Sequence, residues 1–228
     1  IIPPEKACEQ AIIIANHKLK KSKKITYVDC NAISPSSSLE MQKLFYAKKI
    51  DFIDAGIVGL NPIIEKGETR LYVSGPNANK LDVLNGNGLI VKNLGNQIGQ
   101  ASAFKMIYAS ATKGAFALHA AVLTAAHKYN LYDEYVEELE FSKPDILKSM
   151  EKMVPKIPLD AKRWEGEMYE IMKTYENINL TSKFHAGSAE IMKLAHKTPI
   201  SRETRQNFNQ SRTLKQAVEM YVKAIDKN

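Results

Sequence analysis

Cysteine is scarce. The 228 residues hold two, Cys8 and Cys30, too few for a disulfide framework, and no Cys/His cluster has the spacing of a zinc site. Two reduced thiols suit a cytoplasmic chain. Long apolar runs are missing too, and none approaches the roughly 20 residues of a membrane span. Ile1-Ile2 runs straight into Pro3-Pro4 with no basic leader, unlike a signal peptide. An initiating Met is absent, so the chain reads as a fragment or a processed form. There is no Gly-x-Gly-x-x-Gly loop: Gly86-Asn87-Gly88 opens a β-like run, Leu89-Ile90-Val91, where a phosphate loop would open a helix. Finally, no acidic residue occurs between Asp82 and Asp133.

What is present divides at Gly95. Before it, helix and strand signals alternate. Pro4 opens a helix read over Glu5 to Leu19, and Ile25 to Asp29 is a short β-branched and aromatic strand. Ser36-Ser37-Ser38 offers an N-cap for a helix to about Lys48. Asp51–Val58, Arg70–Gly75 and Gly88–Lys92 read as strands, with a short helix over Asn77–Leu84. Strands separated by helices imply a parallel or mixed sheet covered on its faces. From Gln97 to Lys128 there is no proline and much alanine, which predicts one long helix, apolar nearly all round and hence buried. Helical signals continue to the end, broken at Phe141–Pro144, Ile157-Pro158 and Thr198-Pro199. The expected architecture is an α/β piece over 1–94 and an all-α domain over 95–228.

The net charge is +7, yet the one basic run, Lys18 to Lys24, has no interleaved aromatics. It reads as a solvated helix end rather than a nucleic-acid patch. The long helix is more telling. Lys105 and Lys113 are the lysines of its body, and no nearby residue in sequence offers a carboxylate. A lysine on a buried helix must find a partner, snorkel to water or lose its proton. Burial lowers a lysine pKa, which suits proton transfer near neutral pH, and a missing protein anion leaves room for a substrate anion. The plainer alternative is a lysine that simply snorkels.

Three segments bear on that choice. Gly99-Gln100-Ala101-Ser102-Ala103-Phe104-Lys105 resembles the catalytic motif of β-hydroxyacid dehydrogenases, where glycines precede a lysine at the start of the long interdomain helix. Asp54-Ala55-Gly56-Ile57-Val58-Gly59-Leu60 resembles their substrate-binding segment, and Asp29-Cys30-Asn31-Ala32-Ile33-Ser34-Pro35 is similar to the segment beside the nicotinamide. Thr112-Lys113-Gly114, Arg163 to Met168 and Phe184 to Ile191 look like the 6-phosphogluconate dehydrogenase-like subfamily that ends in a domain of unknown function.

The resemblance implies a partial Rossmann-like sheet, its first strands lying before Ile1, followed by an all-α domain. It implies an oxidoreductase using NAD or NADP, passing hydride between the nicotinamide and a hydroxyl-bearing carbon of a small anionic substrate. Lys105 would be the general acid and base. Pro3, Asn31 and Ser34 would line the cofactor. Val58, Gly59 and Leu60 would hold a substrate carboxylate or phosphate, with Tyr108, Lys113, Arg163 and His185 as further substrate contacts. A homodimer is expected from the apolar helix and all-α domain; nucleic acid, membrane and metal are not. Three departures stand out. Val58 replaces the family serine, Ala109 takes the place of the usual asparagine four residues after the lysine, and the Lys-Asp-Leu cofactor motif is missing. They leave room for a different reading, a non-catalytic helical interaction module that keeps the fold.

Overall fold

The computed structural model describes residues 1–17, 25–59 and 69–226. The lysine run at 18–24 and Leu60 lie outside the described residues. Contacts group the chain into two units: Ile1–Ala109 with Glu170–Ser182, and Ser110–Tyr169 with Lys183–Asn228.

The first unit is built on a four-stranded mixed sheet in the order β1 (Thr26–Asp29), β2 (Asp51–Val58), β3 (Thr69–Ser74), β4 (Leu89–Asn93). β1 runs parallel to β2, β3 antiparallel to β2, and β4 parallel to β3. Side chains alternate across β2. Phe52, Asp54, Gly56 and Val58 share one face; Ile53, Ala55 and Ile57 share the other.

Helices α1 (Ala7–Asn16) and α2 (Pro35–Ala47) pack on the Phe52 side. There Tyr27, Phe45 and Phe52 stack, Tyr27 and Phe45 with ring centroids 4.0 Å apart and each with Phe52 at 5.9 Å. Ile53, Ala55, Leu71 and Val73 form the opposite core with Ala78 from the 3-10 turn Ala78–Leu84. Pro35 opens α2 because its fixed φ costs nothing in the first turn, and the Ser34 hydroxyl accepts the Ser37 N–H as N-cap.

The N-terminal helix is shorter than the sequence suggested. Pro4–Lys6 form a 3-10 turn, α1 ends at Asn16, and His17 is extended.

The long helix is present with one interruption: α3 (Gln100–Ala109), a π turn (Ser110–Gly114) and α4 (Ala115–Lys128) follow without a break. It starts three residues later than expected. Gly99 adopts φ +95°, a left-handed conformation natural to glycine, and donates its N–H to Asp54 instead of to a helical carbonyl. Burial all round is not found. Ile107 in the first unit and Leu118 in the second are 58% and 61% exposed.

The second unit is all-α. With α4 it contains α5 (Tyr132–Ser142), α6 (Pro144–Met153), most of α7 (Ile157–Glu176), α8 (Lys183–Lys197) and α9 (Leu214–Ile225). The three proline-marked breaks fall where the sequence put them. Leu123, Met150, Ile157, Met168, Met192 and Tyr221 are among its fully buried side chains. Thr213 and Gln216 form a reciprocal capping box at the start of α9.

Asp54 is fully buried and accepts five hydrogen bonds: Ser38 Oγ at 3.0 Å and Ser102 Oγ at 2.5 Å on Oδ1, and Ser74 Oγ at 2.9 Å, Gly99 N at 3.0 Å and Ser102 N at 3.0 Å on Oδ2. Changing Asp54→Asn sets an amide NH₂ among groups that can only, or preferentially, donate. The expected loss is about 3 kcal/mol of folding free energy, read from the urea unfolding midpoint.

Candidate functional site

The site in the first unit grows from the contact of α3 with β2. Gly56 lets the helix approach closely: a Cβ there would lie 2.9 Å from the Lys105 Cβ and 3.0 Å from the Ala101 carbonyl oxygen. Asp54 holds the first turn of α3 through Gly99 and Ser102, where a carboxylate also suits the positive end of the helix dipole. Ser74 Oγ accepts the Ala101 N–H at 3.1 Å, and Phe104 stacks on Tyr72 with centroids 3.9 Å apart. These contacts bring Lys105 to the carboxyl end of β2, where its half-buried ammonium donates to the Ile57 carbonyl oxygen. Val58 is buried, Gly59 follows it at φ 126°, and Tyr108 is 44% exposed on α3.

The residues expected beside the nicotinamide make a second, tightly bonded group. Asn31 is buried. Its side-chain carbonyl accepts the Ile2 N–H at 2.7 Å, and its NH₂ donates to Asp29 at 2.8 Å. Asp29 also accepts the Asn31 N–H. Burial nevertheless pushes the Asp29 carboxyl up, the Asn31 donors only partly offsetting it. Ser34 is fully buried. Its N–H donates to Glu170 at 2.8 Å, and its hydroxyl bonds those of Ser36 and Ser37. Pro3 is exposed and precedes the 3-10 turn. These bonds hold the Asn31 and Ser34 side chains in place within the turn.

Glu170 is a residue that sequence reading missed. It sits on α7, 136 residues from Ser34, and takes Ser34 N–H, Ser37 Oγ at 2.9 Å and Lys173 Nζ at 2.6 Å. Burial alone raises its carboxyl. The Lys173 ammonium and the two serine donors outweigh burial and hold it below the usual glutamate range.

The second unit gathers the remaining candidates. Lys113, from the π turn, forms an ion pair with the buried Glu167 of α7. Arg163 reaches the same carboxylate at 2.5 Å and Asp160 at 3.0 Å. Lys113 therefore has a carboxylate partner, which corrects the expectation of none; it comes from 54 residues away, out of reach of a local sequence reading. Burial pushes the Lys113 ammonium down, partly offset by Glu167. Lys113 also lies 5.6 Å over the ring of Trp164, which is buried against Phe116. His185, buried on α8, bonds Ser110 Oγ at 3.0 Å, and desolvation pushes its imidazole down. The π turn is thus tied to α7 and α8, and π turns often mark functional positions.

Comparisons with known proteins agree with this architecture. A conserved hypothetical protein from Sinorhizobium meliloti 1021 superposes with a TM-score of 0.72 and 19% identity, over 98% of this chain and 73% of that one. A conserved protein of unknown function, described as structurally similar to 3-hydroxyacid dehydrogenases, gives 0.56 and 28% over 86% of this chain and 74% of its own. The 3-hydroxyisobutyrate dehydrogenase of Salmonella typhimurium gives 0.55 and 12% over 85% and 68%. The fold is that of the 3-hydroxyacid dehydrogenases. Within that class, residues 126–194 match the family model described as a domain of unknown function, DUF1932, so the subfamily recognised from the sequence is borne out. An uncharacterized 28.5 kDa protein in the 7S RNA 5' region of Methanothermus fervidus is 35% identical over 123 residues, 54% of this chain and 47% of that protein. The match spans about half the length of this curated relative. Among the described residues, no helix is long and apolar enough to cross a membrane.

Two outcomes test these clusters. A carboxylate held below its ordinary range contributes stability above that range and loses it as pH falls. Glu170→Gln should therefore cost on the order of 2 kcal/mol at pH 7 and flatten the loss of stability below about pH 4.5, followed by urea unfolding across pH. In the second unit, Glu167→Gln should cost about 3 kcal/mol by stranding Lys113, whereas Lys113→Met combined with Glu167→Leu should recover most of that loss in thermal unfolding.

Proposed function

We propose that this chain is part of an oxidoreductase of the β-hydroxyacid dehydrogenase type, acting on a small anionic hydroxy or keto substrate with NAD or NADP. The observation that carries the reading is Lys105: its helix is seated on Gly56 and its ammonium lies on the Ile57 carbonyl at the carboxyl end of β2. In open α/β sheets, ligands bind outside the carboxyl ends of the strands. The 3-hydroxyacid dehydrogenase fold supports the same reading.

When bound, the nicotinamide would exchange hydride with the hydroxyl-bearing carbon. The chain's own part is the proton. Lys105 Nζ in its neutral form takes the hydroxyl proton in oxidation; protonated, it returns one to the carbonyl oxygen in reduction. The Ile57 carbonyl orients the amine for both. Val58 at the end of β2 and Gly59 after it, together with Leu60, are proposed to hold the substrate's anionic group, Tyr108 standing on the same helix as Lys105. Pro3, Asn31 and Ser34 are proposed to line the nicotinamide side of the site, Asn31 and Ser34 being held in place by their own hydrogen bonds. Lys113, Arg163 and His185 are proposed as further substrate-binding residues.

The protein is further proposed to be a cytoplasmic homodimer. Leu118, Tyr129, Phe141 and Phe184 are exposed apolar residues in the second unit that a second copy would cover.

Lys105→Ala should lower turnover about a thousandfold while leaving cofactor affinity within about twofold, as expected for loss of a general acid and base. Stopped-flow turnover together with NADPH and NADH fluorescence titration checks both. Retained turnover removes Lys105 from the chemistry, and a folded protein that binds neither cofactor favours the non-catalytic module.

A further inference from the structure

Gly86-Asn87-Gly88 lies in the turn that leads into β4, and β4 is the last strand of the sheet among the described residues. An edge strand presents a row of N–H and C=O groups onto which another chain can add a strand. In a parallel pair, alternate residues bond to the neighbouring strand and the others point away from it. The Leu94 N–H donates to the Val73 carbonyl of β3 at 2.8 Å, and Val73 is paired with Asn93. The even-numbered residues of β4 therefore face β3, and Leu89, Val91 and Asn93 turn their backbone groups outward. A further parallel strand would donate an N–H to the Leu89 carbonyl and accept the Val91 N–H.

Both groups are taken by the chain itself. The Gly86 N–H donates to the Leu89 carbonyl at 2.9 Å, and the Val91 N–H donates to the Asn85 side-chain carbonyl at 3.0 Å. Asn85 and Leu89 form an isolated parallel bridge, as a residue of a further strand would. The turn is braced by the Asn87 N–H on the Leu84 carbonyl at 3.2 Å and by the Asn87 side-chain NH₂ on the Val83 carbonyl at 3.3 Å. Gly86 and Gly88 reverse the chain at φ +83° and +77°, which side chains resist. The edge so covered is otherwise inviting. Val83, Leu84 and Ile90 are exposed, and β4 carries a single charge, Lys92.

We infer that Asn85 is an edge cap whose side-chain carbonyl replaces the backbone carbonyl of a neighbouring strand and keeps a second copy of this chain from pairing on β4. The latent partner is a second β4 because this edge is complementary to itself. Across a two-fold axis the two strands run antiparallel, and Val91 opposite Val91 lets each N–H donate to the other's carbonyl. Lys92 then falls opposite Ile90 of the second copy, not opposite another lysine, so no like charges meet. With Asn85 in place, the Val91 N–H is already spent and this register does not form.

Hydrogen exchange and light scattering on the full chain test the cap and the pairing. In the wild type the Val91 amide should be protected from exchange although it points away from the sheet. Asn85→Ala should speed that exchange about tenfold and add an association step beyond the wild-type oligomer as concentration rises, with urea unfolding as cooperative as before. Asn85→Asp keeps an acceptor oxygen and should match the wild type in both readouts. Asn85→Ala combined with Ile90→Lys sets lysine against lysine in the paired register, so it should keep the fast exchange and lose the added association. An unprotected Val91 amide in the wild type overturns the inference, as does Asn85→Ala with unchanged exchange or with no added association. Asn85→Asp behaving like Asn85→Ala removes the acceptor as the cause, and a double variant that associates as strongly as Asn85→Ala sinks the β4 pairing.

Discussion

The sheet-and-helix unit depends on one buried charge. An isolated carboxylate taken out of water is unstable by several kcal/mol, so Asp54 is tolerated only because donors meet it from every side. Those donors come from four separate places: Ser38 on α2, Ser74 on β3, the Gly99 amide, and Ser102 on α3. Satisfying the charge therefore fixes where α3 begins and how it lies on the sheet. Gly56 then sets how close the helix comes, and the two together determine where the Lys105 ammonium ends. The lysine is placed by a carboxylate it does not touch.

The second unit uses charge differently. Glu167 draws the π turn toward α7 through Lys113, and Arg163 shares the same carboxylate. His185 holds Ser110 at the other end of the turn. A π turn has poorer internal hydrogen bonding than an α-helix and persists where surrounding contacts over-determine it. Here those contacts are an ion pair and a buried imidazole, so the break in the long helix and the polar cluster around it are one feature.

Much of the fold was legible because it rests on local signals. The β-branched runs, the Ser34-Pro35 start of α2, the proline breaks and the alanine-rich stretch after Gly99 each write their structure into neighbouring residues. Lys105 stood out by the want of acid around it, and the three dehydrogenase-like segments put it in context. The roles of the supporting residues were not legible. The bonds of the Asn31 amide group to Asp29 and the Ile2 N–H left no trace in sequence. Lys113 looked unpaired, yet Glu167 meets it. Glu170 carried no signal in sequence, being an ordinary glutamate on a polar helix whose serine partners are more than 130 residues away.

By itself, then, the sequence determined the order of the elements and the identity of the one lysine worth following, because periodicity, capping and charge patterning act over a few residues. Tertiary structure decided which charges are satisfied and by whom. It put five donors on Asp54 and closed α3 onto Gly56. Neither follows from spacing along the chain, since a buried charge accepts whichever donors the packing of distant segments delivers to it.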